Sequence, residues 1–136
     1  MGVDDVRGSS EKPVSDVSGE TEQVDELSHL KGNLILSDKG IVLPLPVDKP
    51  EIILGRTDLV QNIFPDVDFA ELEGEGRGVS RRHARILQKS GGIYLEDLNS
   101  TNFTFLNNDR LHPGRLYPLK NGDEIRLGLL TLEYRR

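Results

Sequence analysis

The 136 residues carry a net charge of −6, with 35% hydrophobic and only 5% aromatic residues and neither Trp nor Cys. That length holds one domain plus a tail, its core must come from Leu, Ile and Val, and the absence of Cys excludes disulfides, thiolate metal sites and cysteine nucleophiles. No apolar run nears the ~18 residues of a membrane span and no signal-peptide pattern opens the chain, so a soluble, cytoplasmic protein is expected.

Residues 1–32 hold eight acids and three bases, are rich in Ser, Gly, Glu and Asp, and show no sustained periodicity. Such a composition buries too little apolar surface to offset chain ordering, so a disordered acidic tail is expected over 1–32. Val24, Leu27 and Leu30 recur at helical spacing within it. From Asn33 the pattern turns to short strands. Leu34-Ile35-Leu36 and Ile41-Val42-Leu43 flank a Ser37-Asp38-Lys39-Gly40 turn, as in a hairpin. Glu51 to Leu54 reads as a buried strand ending at Gly55, and residues 57–78 as a long loop with a short strand near Val67. Segments 84–88 and 93–97 form a hairpin about Ser90-Gly91-Gly92. A further hairpin is expected at Asn107-Asn108-Asp109. Asn121-Gly122 precedes a strand over 123–127, and Gly128 leads into 129–134 with Leu130, Leu132 and Tyr134 on one face. Fourteen Gly and seven Pro among many short strands predict an all-β sandwich over residues 33–136.

Arg56, Ser80 and the Thr101-Asn102 pair sit at three separate strand ends. A guanidinium fork, hydroxyls and an amide gathered at one rim suit a doubly charged anion with three acceptor oxygens, such as a phosphorylated side chain. Each residue has an ordinary alternative. Arg56 would otherwise form a surface ion pair with Asp58 or Glu51, Ser80 would bond within its own loop, and Thr101-Asn102 would merely make a turn. Neighbours in extended chain point oppositely, so spacing does not choose between Arg81 and Arg82.

Three blocks in this order, Gly55-Arg56, Ser80-Arg81-Arg82-His83 and Ser100-Thr101-Asn102 with Thr104, make residues 33–136 resemble a forkhead-associated (FHA) domain. The stretch from Phe64 to Phe69 is similar to bacterial members. The resemblance implies a sandwich of about eleven mostly antiparallel strands that binds phosphothreonine peptides through loops at one end. It implies that Arg56, Ser80, Arg81 and Thr101 contact the phosphate region and that Asn102 grips the peptide main chain. Gly55, His83 and Thr104 are then structural support. The family usually has Gly after the asparagine, where this chain has Phe103. Thr21 lies in an acidic context that a kinase could phosphorylate, and the resemblance to bacterial members with an N-terminal phosphothreonine that folds back implies a self-binding switch; the alternative is an inert tail or part of a larger linker.

The expected function is therefore a phosphothreonine-binding adaptor in Ser/Thr-kinase signalling, acting as a monomer without catalysis, cofactor or metal. Its partner is a phosphothreonine-containing protein or peptide, including a Ser/Thr kinase or its substrates. The alternative is a phosphate-independent interaction module with a degenerate site. Fifteen acids against fourteen bases in residues 33–136 leave no broad basic face for nucleic acid. A hydrolase using Ser80 and His83 would need a third orienting group and an oxyanion hole, and residues three apart in extended chain face opposite sides. The carboxylates between Asp66 and Glu75 lack the spacing of a calcium loop.

Overall fold

Alternation decides the first hairpin. In β1 (Asn33–Leu36), Leu34 and Leu36 are buried, and β2 (Ile41–Pro44) pairs with it antiparallel, Leu34 opposite Leu43. The computed structural model describes residues 30–46 and 48–136. The helical spacing expected before Leu30, Thr21 and nearly all of the expected acidic tail lie outside the described residues. Leu30 itself is fully buried. The chain around it is held by a 2.9 Å bond from the Tyr134 hydroxyl to the Lys31 carbonyl.

β3 (Glu51–Gly55) and β4 (Val67–Asp68) form a parallel pair, and a 3-10 turn follows at Ala70–Leu72. β5 (Arg82–Lys89) and β6 (Gly92–Asp97) make the expected hairpin, its two turn residues Ser90 and Gly91 at φ 52° and 80°. Positive φ at both central positions is the type I′ pattern, whose twist matches paired strands. β7 (Thr104–Leu106) and β8 (Asp109–Arg110) repeat the device with Asn107 and Asn108 at 50° and 73°. Asn tolerates that region better than other side chains. β9 (Tyr117–Pro118) was not expected from the pattern. β10 (Glu124–Leu127) and β11 (Leu130–Arg135) close the chain as a hairpin.

Among the described residues eleven strands form two sheets, one of six in the order β2-β1-β11-β10-β7-β8 and one of five in the order β4-β3-β5-β6-β9. This is the expected sandwich. Their facing surfaces bury Leu34, Ile52, Leu54, Ile86, Leu95, Ile125, Leu132 and Tyr134 completely. Each such aliphatic side chain contributes roughly 1.5–3 kcal/mol by leaving water. The result is a stiff base from which loops project at the end where β3 and β10 finish and β5 and β7 begin.

Candidate functional site

Close backbone approach sets the site. A Cβ on Gly55 would stand 1.8 Å from the Arg81 carbonyl oxygen, so no other residue fits there without moving backbone. Arg56 then donates its N–H to that same carbonyl at 3.0 Å. Its Nε donates to the Val79 carbonyl at 2.5 Å, which fixes the guanidinium against the loop preceding β5. The terminal nitrogens face the rim, where the nearest carboxylate among the described residues is that of Glu75, 4.0 Å from Nη1 and highly exposed. The chain after Arg56 is held by Asp68, which accepts from the Thr57 and Ala70 amides at 3.0 and 2.9 Å and from the Thr57 hydroxyl. Burial pushes the Asp68 pKa up, but those hydrogen bonds and nearby Arg56 outweigh it and hold the carboxyl below its ordinary value.

His83 joins two loops from beneath. Leu54 pairs with Ala84 but Gly55 with Arg82, so His83 is the extra residue of a β-bulge. The bulge turns two consecutive residues, His83 and Ala84, into the interior, and both are fully buried. Nδ1 accepts from the Ser80 N–H at 2.9 Å, which places the proton on Nε2, and Nε2 donates to the Phe103 carbonyl at 2.9 Å. Burial lowers the His83 pKa, keeping the ring neutral as both bonds require. With both nitrogens on backbone groups, the imidazole is not placed to deprotonate the Ser80 hydroxyl.

The third loop is organised by a carboxylate that sequence reasoning missed. Asp97, fully buried, accepts from the Ser100 hydroxyl at 2.5 Å, the Ser100 N–H at 3.2 Å and the Thr104 hydroxyl at 2.6 Å. The signal was present as hydroxyl residues three and seven positions after an aspartate that ends a strand. Thr104 is thus a buried strut. Thr101 and Asn102 are exposed on the loop so formed. The Thr101 N–H donates to Ser80 Oγ at 3.2 Å, leaving the Ser80 O–H to donate elsewhere, and Asn102 Nδ2 donates to the Gly78 carbonyl at 3.1 Å. Phe103 has φ 71°, so the loop keeps the left-handed turn that Gly would make easily. The Phe103 carbonyl also receives the Gly128 N–H at 3.0 Å, tying in the β10–β11 turn.

All the residues singled out after Thr21 therefore meet at one end. Arg56, Ser80, Arg81, Thr101 and Asn102 are brought to the rim, with Gly55, His83 and Thr104 below. Arg81 is held by Asp58 at 2.7 Å, and Glu51 pairs with Arg85, so neither carboxylate considered for Arg56 takes it. Carboxylates of the acidic run instead bind neighbouring loops. Asp66 takes Lys49 and the Ile53 N–H, while Glu73 takes Lys39 and Arg77 at 3.2 and 3.3 Å.

The profile of the FHA domain matches residues 52–128. The chain belongs to the FHA family. Protein FraH from a Nostoc strain is 32% identical over 76% of this chain, and the match spans 35% of FraH. A probable E3 ubiquitin-protein ligase, dma1, from Schizosaccharomyces pombe is 37% identical over 45% of this chain and 24% of its own length. The chain thus spans about a third or less of these curated relatives. Among solved structures, one from a structural and functional analysis of phosphothreonine-dependent FHA domain interactions is 31% identical, covering 78% of this chain and 96% of its own, with a TM-score of 0.60. The FhaA FHA domain, solved in complex with the intracellular domain of Rv3910, is also 31% identical, covering 76% of this chain and 99% of its own at a TM-score of 0.58. The family and its bacterial character agree with the motif blocks in this FHA domain. Among its described residues no helix is long and apolar enough to cross a membrane.

Proposed function

We propose that this FHA domain is a phosphothreonine-binding adaptor in Ser/Thr-kinase signalling, which recruits a phosphorylated protein without acting on it. The observation that carries this reading is the half-buried Arg56. Its Nε is anchored on Val79, and among the described residues its terminal nitrogens meet no carboxylate nearer than the exposed Glu75. A guanidinium fixed at one nitrogen and open at the others is pre-organised for a phosphate oxygen pair. Ser80 and Thr101 add hydroxyl donors, Arg81 a second cation once it leaves Asp58, and Asn102 an amide for the peptide main chain.

Titration with matched phosphorylated and unphosphorylated threonine peptides tests it. Micromolar affinity, about −8 kcal/mol at 1 μM, is expected for the phosphorylated form alone. Arg56→Ala should weaken it by at least ~2 kcal/mol through loss of a charge-assisted contact. Affinity should also fall below pH ~6, where the phosphate loses its second charge.

The second reading, a phosphate-independent module, draws on the carboxylates beside the two site arginines, Glu75 at 4.0 Å and Asp58 at 2.7 Å. Each pair has one well-exposed partner, Glu75 or Arg81, and contributes little, so a dianion displaces it. Equal affinity for both peptide forms would select this reading instead.

A further inference from the structure

Phe103 keeps a bulky side chain at φ 71°, and the residue is 37% exposed beside Asn102. The Arg110 guanidinium carbon lies 3.6 Å from the centre of that ring. Arg110 pairs across β7–β8 with Phe105, and Phe105 pairs across β7–β10 with Arg126. The Arg126 guanidinium carbon lies 3.8 Å from the Phe105 ring centre. Thr104, Ile125 and Leu127 beside them point into the core, so alternation turns Phe105 and Arg126 to the outer face. Phe103, Arg110, Phe105 and Arg126 thus form one continuous cation–aromatic row. It runs over the outside of the six-stranded sheet from the rim that holds Asn102.

Among the described residues the charges in this row have no carboxylate partner. Arg77, Arg81, Arg85 and Arg135 each have a carboxylate at 2.7 Å. Among the described residues none pairs with Arg110 or Arg126, although the chain has 23 acids against 17 bases. Arg126 donates instead to the Gly128 carbonyl at 2.8 Å. Stacking on a ring holds each guanidinium plane while leaving N–H groups at its edge, the arrangement that receives a carboxylate. A strained aromatic residue beside the peptide amide also suggests that this corner is kept for recognition.

We propose that the row is a second recognition element, taking Asp or Glu side chains of the phosphorylated partner that flank its phosphothreonine. The inference rests on the phosphothreonine reading above. The test uses one parent phosphothreonine peptide carrying acidic residues before the phosphothreonine, or after it, each with a Gln/Asn counterpart, plus the unphosphorylated parent. One acidic peptide should bind about five- to tenfold tighter than its amide counterpart at low ionic strength, with the gap closing as salt rises. Arg110→Gln, on an exposed edge strand, should narrow the gap and leave amide-peptide affinity unchanged. Arg110→Glu should favour a Lys-flanked peptide instead.

Equal binding of acidic and amide peptides overturns the inference, as does a gap untouched by Arg110→Gln and Arg126→Gln together. A concentration-dependent dimer abolished by Arg110→Glu would assign the row to a second copy and also overturn it. If the phosphorylated parent outbinds the unphosphorylated one while the acidic flank adds nothing, the row falls and the phosphothreonine reading stands. If phosphorylation itself makes no difference, both fall.

Discussion

Two residues carry stress that their neighbours impose, and both give direct tests. Gly55 has no room for a methyl group, since its Cβ would overlap the Arg81 carbonyl at 1.8 Å. Gly55→Ala should therefore cost at least ~3 kcal/mol, the upper end of overpacking effects, in urea unfolding. His83 takes up its proton at lower pH than a surface histidine. Its folded pKa lies below the ordinary 6.5, so the unfolded chain takes up the proton first. Stability is full above pH ~6.5 and falls as the pH drops from there toward the lower folded value. His83→Ala should remove that acid sensitivity and cost about 2–4 kcal/mol, because it opens a cavity and leaves the Ser80 N–H and Phe103 carbonyl without their ring partner. Denaturant unfolding at a series of pH values reads both effects.

At the scale of elements, the β6–β7 loop depends on one carboxylate and one unfavourable backbone angle. Asp97→Ala strands two buried hydroxyls and should cost about 2–3 kcal/mol of stability. It should also weaken phosphopeptide binding although Asp97 lies below the rim. Phe103→Gly and Phe103→Ala separate the backbone from the side chain. Both lose the ring and its contact with Arg110, but only Gly relieves φ 71°. The Gly variant should be the more stable of the two by about 1 kcal/mol. Calorimetry giving the reverse order would show that the angle is not strained. This loop also marks where the sequence stops being legible. Alternation in β1, β6, β10 and β11 exposed the sandwich, and turn residues located its hairpins. The inward turn of His83 arises from a bulge that pairs β5 out of step with β3, a long-range feature without a local signature. Nothing local predicts that a phenylalanine will hold a left-handed angle. β9 was missed because two residues ending in proline carry no periodicity.

For the whole molecule, the central claim is that a nearly neutral sandwich behind an acidic N-terminal segment concentrates anion recognition at one rim. Arg56, Ser80, Thr101 and Asn102 could be grouped in the sequence because suitable chemistry recurs at strand ends, whereas Arg81 was set apart from Arg82 only by the family resemblance. Their struts were only partly so. Asp97 and the Asp58 grip on Arg81 depend on contacts that topology makes, the latter between residues 23 apart in the chain. The sandwich should retain its stability in Arg56→Ala, since that side chain donates to loop backbone and not to the core, so binding and folding can be separated. The most direct measurement is calorimetric titration of the wild type and Arg56→Ala with one threonine peptide in phosphorylated and unphosphorylated forms. The account predicts micromolar binding for the phosphorylated peptide on wild type alone, reduced at least about thirtyfold in Arg56→Ala, the ratio that ~2 kcal/mol represents. Equal affinity for the two peptides, or an affinity that survives the loss of Arg56, would contradict it.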